Sequence, residues 1–374
     1  MTALVPQTVD QAIDAVLSND FVLPHGNCTK ESLIAASESC CLIGTRGLTG
    51  ITEYESTEFT FTAKAGTPIS EIAAALDANG QWMPFDPVFS SAIADVSTAG
   101  VSTREHRSAT LAGAISSGLN GSCSLRFGGA RDFVLGIKFI DGNGNHITAG
   151  GKVVKNAAGF DLPKFFVGCC GRFGILTELT MKVFPKSNSY LTLVFEGTLN
   201  DHLNSIKRIN STPLEIEALD IFEGDLWVRI GGGERTLATA KKRIEELVGI
   251  AAQHRDFDGN DSDEGFWRES NRFGWLPDGD VLFKAPTHIR QLPKLMETIE
   301  SIASRARVSL GGQVVYFGVK PGNVSELLSS LSTQGFVAQA IRDSPSVIQP
   351  FPWTPFARKI KTALDPQHRF GAPE

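Results

Sequence analysis

Two strings of small residues carry the most readable chemistry in this chain: HGNCT at 25–29 and TLAGAISSG at 110–118. Backbone N–H groups converge on an anion only where side chains stand aside, as they do in turns of Gly, Ala, Ser and Thr. A diphosphate needs several such donors at roughly 2.9 Å, and two loops from separate strands would grip it from both sides. The same composition suits tight turns beside a domain boundary, so the residues alone leave both readings open. Other glycine-rich strings fit nucleotides less well. GGGERT at 231–236 follows a strand and opens a helix, but lacks the third glycine of a dinucleotide fingerprint. GNGN at 142–145 reads as a hairpin turn, and GCCGRFG at 168–174 runs into a strand and offers no helix N-terminus. No Walker A string occurs, which argues against an ATPase.

Charged residues supply a second set of candidates. Arg104, His106 and Arg107, in the string REHR, combine a carboxylate clamp with a proton acceptor. A charged loop is also the ordinary dress of a solvated surface. His288 and Arg290 form a weaker pair of the same kind. The six cysteines, at 28, 40, 41, 123, 169 and 170, make no Cys-x-x-Cys, so zinc and iron–sulfur ligation find no supporting spacing and no metal is expected. They are expected to be reduced, and mostly buried as small hydrophobes.

Composition bounds what these residues can belong to. The 374 residues are 42% hydrophobic and 20% charged, which supplies two or three domains with cores and excludes a disordered chain. The net charge of −6 gives no basic footprint for nucleic acid. No run approaches the ~20 apolar residues that span a bilayer, so no transmembrane segment is expected. MTALVPQTVDQ at the start lacks the charged head and apolar stretch of a secretory signal. A cytoplasmic location is the expectation.

The positioning elements follow from periodicity. Val9, Ile13, Val16 and Leu17 suit a short amphipathic helix, and FVLP at 21–24 and CLIG at 41–44 read as strands. Strict alternation over 59–65 marks a half-buried strand. Thr67 and Pro68 then read as an N-cap and first helical residue, with Ile69, Ile72, Ala73 and Leu76 on one face. The stretch 84–129 is poor in large apolar residues. Strands at 133–140 and 146–151 flank a DGNG turn, and 175–185 alternates until Pro185. From about 188 the pattern restarts as strands with helices near 200–209, 235–248, 289–303 and 323–331, an α+β layer with helices on one face of an antiparallel sheet. A last helix spans about 355 to 364.

The ordered strings PHGNCT, FTFTAKAGTPISEIAAALDANGQWMPFDP, ATLAGAISSGLNG, GARDFVLGIKFIDGNG, GGKVVKNAAGFDL, GRFGILTELTMKVFP and LDPQHRF together resemble the vanillyl-alcohol-oxidase/PCMH-type FAD-binding family. Within it the chain is most similar to the FAD-binding subunits of bacterial glycolate oxidase (glycolate dehydrogenase). The resemblance covers 1–185 and the tail, and thins to fragments such as FWR at 266–268. It implies an α+β fold: a PCMH-type FAD-binding domain of two α/β subdomains at 1–185, a small antiparallel-sheet cap at 186–340, and a segment at 341–374 returning to the first domain.

The resemblance also assigns residues. Pro24, His25, Gly26, Asn27, Cys28 and Thr29 would form a first pyrophosphate loop. Pro87 and then Thr110, Leu111, Ala112, Gly113, Ser116, Ser117, Gly118 and Leu119 would form a second. Gly128 and the Arg131–Asp132 pair follow, Lys155 and Asn156 would lie near the ribityl chain or ring, and Gly174 and Ile175 would give main-chain contacts. Thr29 stands where covalent members carry a flavin-linking His, so FAD is expected to be non-covalent. Cys28 stands where the loop normally has Gly or another small residue and is small enough to keep the turn, and Gly371-Ala372-Pro373 replaces the usual Asn-Pro-Gly. Lys155 reads either as a cation raising the flavin potential or as a surface lysine. Arg104 and His106, with Lys155, are the candidates for hydroxy-acid chemistry. The paired histidines and His-x-Gly-Asp-Gly string of metal-using relatives are missing.

The implied function is therefore the FAD-binding subunit of a 2-hydroxy-acid dehydrogenase. Its partners would be a catalytic flavoprotein subunit and an iron–sulfur subunit, through which it would lie peripheral to the inner membrane. A self-sufficient FAD enzyme and a non-catalytic structural subunit remain as alternatives.

Overall fold

The computed structural model describes residues 2–33, 40–89, 108–151, 160–254, 262–344 and 353–371. The chain divides into two compact units. The first comprises 1–120, 129–185 and 349–374; the second comprises 121–128 and 186–348.

Two larger sheets organise the first unit, beside a two-stranded pair of Phe184–Pro185 with Gln81–Trp82. Thr2–Leu4, Cys41–Gly44 and Val22–His25 form a parallel three-stranded sheet with Cys41–Gly44 at its centre. Ala12, Ala15 and Val16 of the helix Val9–Leu17 pack in one apolar cluster with Val22, Cys41 and Ile43. Leu17, expected inside, is 47% exposed, because the buried stripe runs through the alanines. The second sheet is antiparallel, in the order Ile51–Glu55, Thr60–Lys64, Ile175–Lys182, Val134–Ile140, His146–Gly150. Its final hairpin turns on Asp141, whose carboxylate accepts from the backbone N–H of Asn143 and Asn145 at 2.9 and 2.8 Å.

Three elements depart from the sequence reading. Ile51–Glu55 is a strand that its alternation, broken by a bulge, did not announce. The helix after Pro68 begins at Ile69 with Pro68 itself as its N-cap. Thr67 does not cap it. Its hydroxyl donates to the Lys64 carbonyl at 2.7 Å and accepts from Gly50 N–H at 3.0 Å, which ties the turn between two strands. TLAGAISSG, read as a loop, is instead the helix Leu111–Ser117, with Thr110 as N-cap accepting from Gly113 N–H and Gly118 closing it at positive φ.

The second unit is one eight-stranded sheet with four helices on one face, as expected from the alternation of its elements; against that expectation the helix Asp263–Asn271 lies on the other face, where Trp267 packs with Val194, Ala218 and Trp227. Ile206 and Ile209 of Leu199–Asn210, Leu237 and Ile244 of Glu234–Val248, Leu295 of Leu292–Ile299 and Leu331 of Val324–Gln334 pack on Leu193, Leu219, Val228, Phe283 and Phe317. The helix expected over 289–303 is shorter, and Ala303–Ser309 is a strand deep in the sheet order. The short helix Ser124–Phe127, from the segment that leaves the first unit, belongs to this unit, and Leu125 packs against its core. No helix among the described residues is long and apolar enough to cross a membrane.

Candidate functional site

In the first unit, three chain segments meet where the sequence placed the small-residue strings. A Cβ added to Gly26 would lie 2.2 Å from Thr110 Oγ1, so only glycine lets the 24–29 loop touch the cap of Leu111–Ser117. The Asn27 amide donates to the Ser108 carbonyl at 2.8 Å across the same gap. The 168–174 loop closes the third side. Gly168 N–H donates to the Ile115 carbonyl at 3.1 Å, Cys170 N–H donates to the Ser116 carbonyl at 2.8 Å, and a Cβ on Gly171 would meet Pro24 Cγ at 2.6 Å. Gly118 lies equally close to Gly168, its virtual Cβ 3.0 Å from the Gly168 Cα. Pro87 is buried in the turn before Phe89, and the Phe89 carbonyl accepts from Ala109 N–H at 2.9 Å.

The donors divide unequally between the two strings. Leu111, Ala112 and Gly113 N–H groups are taken by the Thr67 carbonyl, the Ala65 carbonyl and Thr110 Oγ1. That helix therefore offers no free N-terminal donors. Leu111, Ala112, Ala114 and Ile115 are buried, and Gly113, Ser116 and Ser117, at helical spacing, form its partly open face. The N–H groups of Gly26, Asn27 and Thr29, by contrast, have no acceptor among the described residues. Backbone donors left without partners are uncommon in folded chains, and a cluster within one turn makes a concavity suited to an anion.

Lys30 strengthens that bias, and sequence reasoning missed it. Its ammonium donates to Thr29 Oγ1 at 3.0 Å and stands 5.5 Å from the Phe89 ring centroid. Burial pushes it down to about 8, opposed by the Cys170 thiol and Glu31. The only signal in the sequence was its position directly after HGNCT. His25 is also held below its ordinary range by burial, and its Nδ1 lies 2.9 Å from the Gly26 carbonyl and 3.5 Å from Cys28 Sγ. Cys28 takes φ 53°, a conformation costly for a side-chain-bearing residue, where the resemblance implies glycine or another small residue. None of the six cysteines forms a disulfide and all but Cys28 are buried; burial pushes the Cys169 thiol up to about 12.

The remaining expected residues scatter. Gly174, at φ 150°, sits so near the Ile140 carbonyl that a Cβ would approach it to 2.5 Å, and Ile175 is fully buried in the apolar cluster of the parallel sheet. Leu119 is buried. Arg131 is exposed, and the Asp132 carboxylate accepts from Gly129 N–H at 3.0 Å. Gly128 ends the segment that belongs to the second unit. His288 and Arg290 stand exposed before Leu292–Ile299. Arg104, His106, Arg107, Lys155 and Asn156 lie outside the described residues.

The second unit holds a polar assembly that the sequence did not reveal. Asp220, buried, accepts from Arg307 Nε at 2.8 Å, Ser122 Oγ and Ser309 Oγ at 2.7 Å each, and Leu310 N–H at 3.2 Å. Arg307 also donates through Nη2 to Asn271 Oδ1 at 3.1 Å and to Ser122 Oγ. Beside it Arg229 pairs with Asp263 at 2.6 Å and lies 3.7 Å from Glu217, whose carboxyl burial pushes up. These residues alternate with the apolar ones that face the helices, so they share the sheet's other face.

Comparison with known proteins fits this architecture. No protein-family model matches the chain. Solved structures of alkyldihydroxyacetonephosphate synthase share the fold, one with a TM-score of 0.73 over 99% of this chain and 76% of its own at 13% identity. The α+β class of the PCMH-type fold is thus the observed one. Glycolate oxidase subunit GlcE of Escherichia coli is 37% identical over 202 residues, 54% of this chain and 53% of that protein. Glycolate oxidase subunit GlcD of Bacillus subtilis is 33% identical over 144 residues, 38% of this chain and 27% of its own. A D-lactate dehydrogenase of Archaeoglobus fulgidus is 29% identical over 156 residues, 38% of this chain and 35% of its own. The resemblance read from the motifs is borne out, and the chain spans about half the length of the GlcE relative.

Proposed function

We propose that the chain is the FAD-binding subunit of a glycolate-type 2-hydroxy-acid dehydrogenase assembly. The observation that carries the reading is the meeting of the 24–29 loop, the Leu111–Ser117 helix and the 168–174 loop around uncommitted backbone donors. Gly26, Asn27 and Thr29 would donate to the diphosphate, and the Lys30 ammonium would balance its charge. Gly113, Ser116 and Ser117 would leave room for an extended nucleotide, since a larger residue there would fill the path. FAD, once bound, supplies a two-electron acceptor for the hydride on the α-carbon of the hydroxy acid. Thr29 has no ring nitrogen to attack a flavin methyl carbon, so the cofactor is held without a covalent bond. The relatives named as glycolate oxidase subunits support membership of an assembly; within it, a catalytic flavoprotein subunit and an iron–sulfur subunit would be the partners.

Absorption spectra of the purified chain, with and without added FAD, test the cofactor reading. Saturable binding and full release of the yellow colour on acid precipitation are expected. A colourless, well-folded chain that takes up no FAD would overturn the reading, and a yellow pellet would overturn the non-covalent part. Alone, the chain is expected to reduce its flavin slowly with glycolate, because orientation and proton removal each contribute roughly 10²–10⁴ in rate. Fast anaerobic bleaching by the single chain would instead favour a self-sufficient enzyme.

A further inference from the structure

The tail of the first unit carries a buried cation that reaches beyond its own helix. Lys361, on the helix Pro355–Leu364, is fully buried, and so is Asp365 one turn later. An ammonium taken out of water needs a carboxylate and further hydrogen bonds to offset the cost. Lys361 Nζ has both, donating to Asp365 Oδ2 and to the Arg172 carbonyl at 2.6 Å each. Burial still pushes it below the usual lysine range, with Asp365 opposing the shift. The bond to Arg172 is the informative one, since it leaves the tail and ends on the 168–174 loop.

The rest of the tail is seated by other contacts. The Asp365 carboxylate accepts from the backbone N–H of Arg369 and Phe370 at 2.9 Å each, which folds the turn after the helix. Gly142 N–H donates to the Leu364 carbonyl at 2.8 Å, and a Cβ on Gly142 would fall 2.2 Å from Asp365 Oδ1. Further on, the Arg369 carbonyl accepts from Val22 N–H at 2.8 Å, and its guanidinium donates to the Asn19 carbonyl at 2.5 Å. Phe370 joins Val22, Cys41 and Ile43 in one apolar cluster. Toward the 168–174 loop the tail offers the Lys361 bond and a ring contact of Trp353 with Phe173, centroids 5.8 Å apart. In that loop Cys170 N–H is bonded to the Ser116 carbonyl and Gly171 abuts Pro24, and the Arg172 carbonyl comes directly after them. A charged donor in a site closed to water holds such a carbonyl more firmly than a neutral one in solvent.

We propose that Lys361 is a positioning residue for the 24–29 turn: its bond to the Arg172 carbonyl holds the 168–174 loop against Pro24 and the Leu111–Ser117 helix. Lys361 acts on the turn through that loop. Its effect on ligand binding rests on the reading of the turn as the FAD diphosphate site, whereas its effect on the loop does not.

The test is amide hydrogen exchange of the full chain without FAD, read by mass spectrometry, followed by FAD titration of the same samples. Combining Lys361→Met with Asp365→Asn removes both charges together, so no buried carboxylate is left unpaired. Exchange within 168–174 should quicken at least about tenfold, the scale of one hydrogen bond to a charged group, while Val22 N–H stays as protected as in the wild type. FAD affinity should fall by about the same factor. Lys361→Gln, a milder change that keeps a neutral donor, should show the same pattern at smaller size. Lys361→Arg, which keeps the buried cation, should recover most of the loop protection and the affinity. Equal quickening at Val22 and in the loop would mean that Lys361 merely seats the whole tail, and would overturn the proposal. Unchanged exchange in the loop would overturn it too, as would a Lys361→Arg chain that behaves like the double variant. Lys361-dependent protection of the loop in a wild-type chain that takes up no FAD would leave the positioning role standing and sink the cofactor reading. Equal FAD affinity in the wild type and the double variant would do the reverse.

Discussion

The 24–29 turn of the first unit and the polar sheet face of the second handle charge in opposite ways. The turn presents backbone N–H groups and one lysine, and has no buried carboxylate among the described residues that hold it together. The sheet face buries arginines and answers each with a carboxylate: Asp220 for Arg307, Asp263 and Glu217 for Arg229. An array of donors without an internal acceptor is a place prepared for an external anion. An ion pair closed on itself is instead a structural joint, retained at the expense of desolvation and strongly destabilising when half of it is removed.

The largest effect should come from breaking a closed pair. Asp220→Ala leaves the buried Arg307 guanidinium without its carboxylate and removes the acceptor of Ser122, Ser309 and Leu310 N–H. A loss of about 3–5 kcal/mol is expected, read by urea unfolding of the full chain. A loss below about 1 kcal/mol would mean that the assembly is more open to water than its burial implies. Next comes Gly26→Val. The added Cβ collides with Thr110 Oγ1, so the two segments must separate, and FAD affinity should fall at least about a hundredfold, some 2.7 kcal/mol. Circular dichroism should stay near wild type, because the turn lies outside both sheets. Thr110→Ala removes only the hydroxyl that caps Gly113 N–H, and should lower stability by about 1 kcal/mol.

The same contrast explains what the sequence could reveal. Recognition by backbone leaves a compositional mark, since side chains must be small wherever the main chain is to be approached; HGNCT and TLAGAISSG were visible for that reason. Their spatial meeting was not, because it depends on contacts such as Gly26 against Thr110 and Gly171 against Pro24 between distant positions. Recognition by side chains on a strand leaves almost no mark. Arg307 looks like an ordinary surface residue in ASRARVS until the register places it beside Asp220 on the sheet's polar face. Arginines in ASRARVS also hid the strand itself, since buried charge breaks the apolar alternation that betrays strands. The segment 121–128 was read with the FAD domain by chain position, yet Ser122 and Cys123 are buried in the second unit.

Lys30 gives a small but the most diagnostic effect, because it sharpens the difference between an open and a closed charge. Lys30→Met should weaken FAD about tenfold, near 1.4 kcal/mol, as expected for one partly screened charge on a diphosphate. Its pH dependence distinguishes electrostatics from packing. Without ligand the ammonium titrates at about 8; a diphosphate beside it favours the charged form and raises that value. Binding therefore takes up a proton above pH 8. FAD affinity should be flat below that point and fall as pH rises toward the bound-state value, by at most about tenfold per unit. The apo chain should behave in the opposite sense. Its folded-state value lies below the unfolded 10.5, so the folded state holds fewer protons between 8 and 10.5, and the penalty from Lys30 lessens as pH rises through that window. Glu31 and Cys170 face the same ammonium, and deprotonation of the thiol would favour the charged form, which makes Cys170→Ser the control. A pH profile for FAD affinity that is unchanged by Lys30→Met would assign the dependence to another group and leave Lys30 as a packing residue over Phe89.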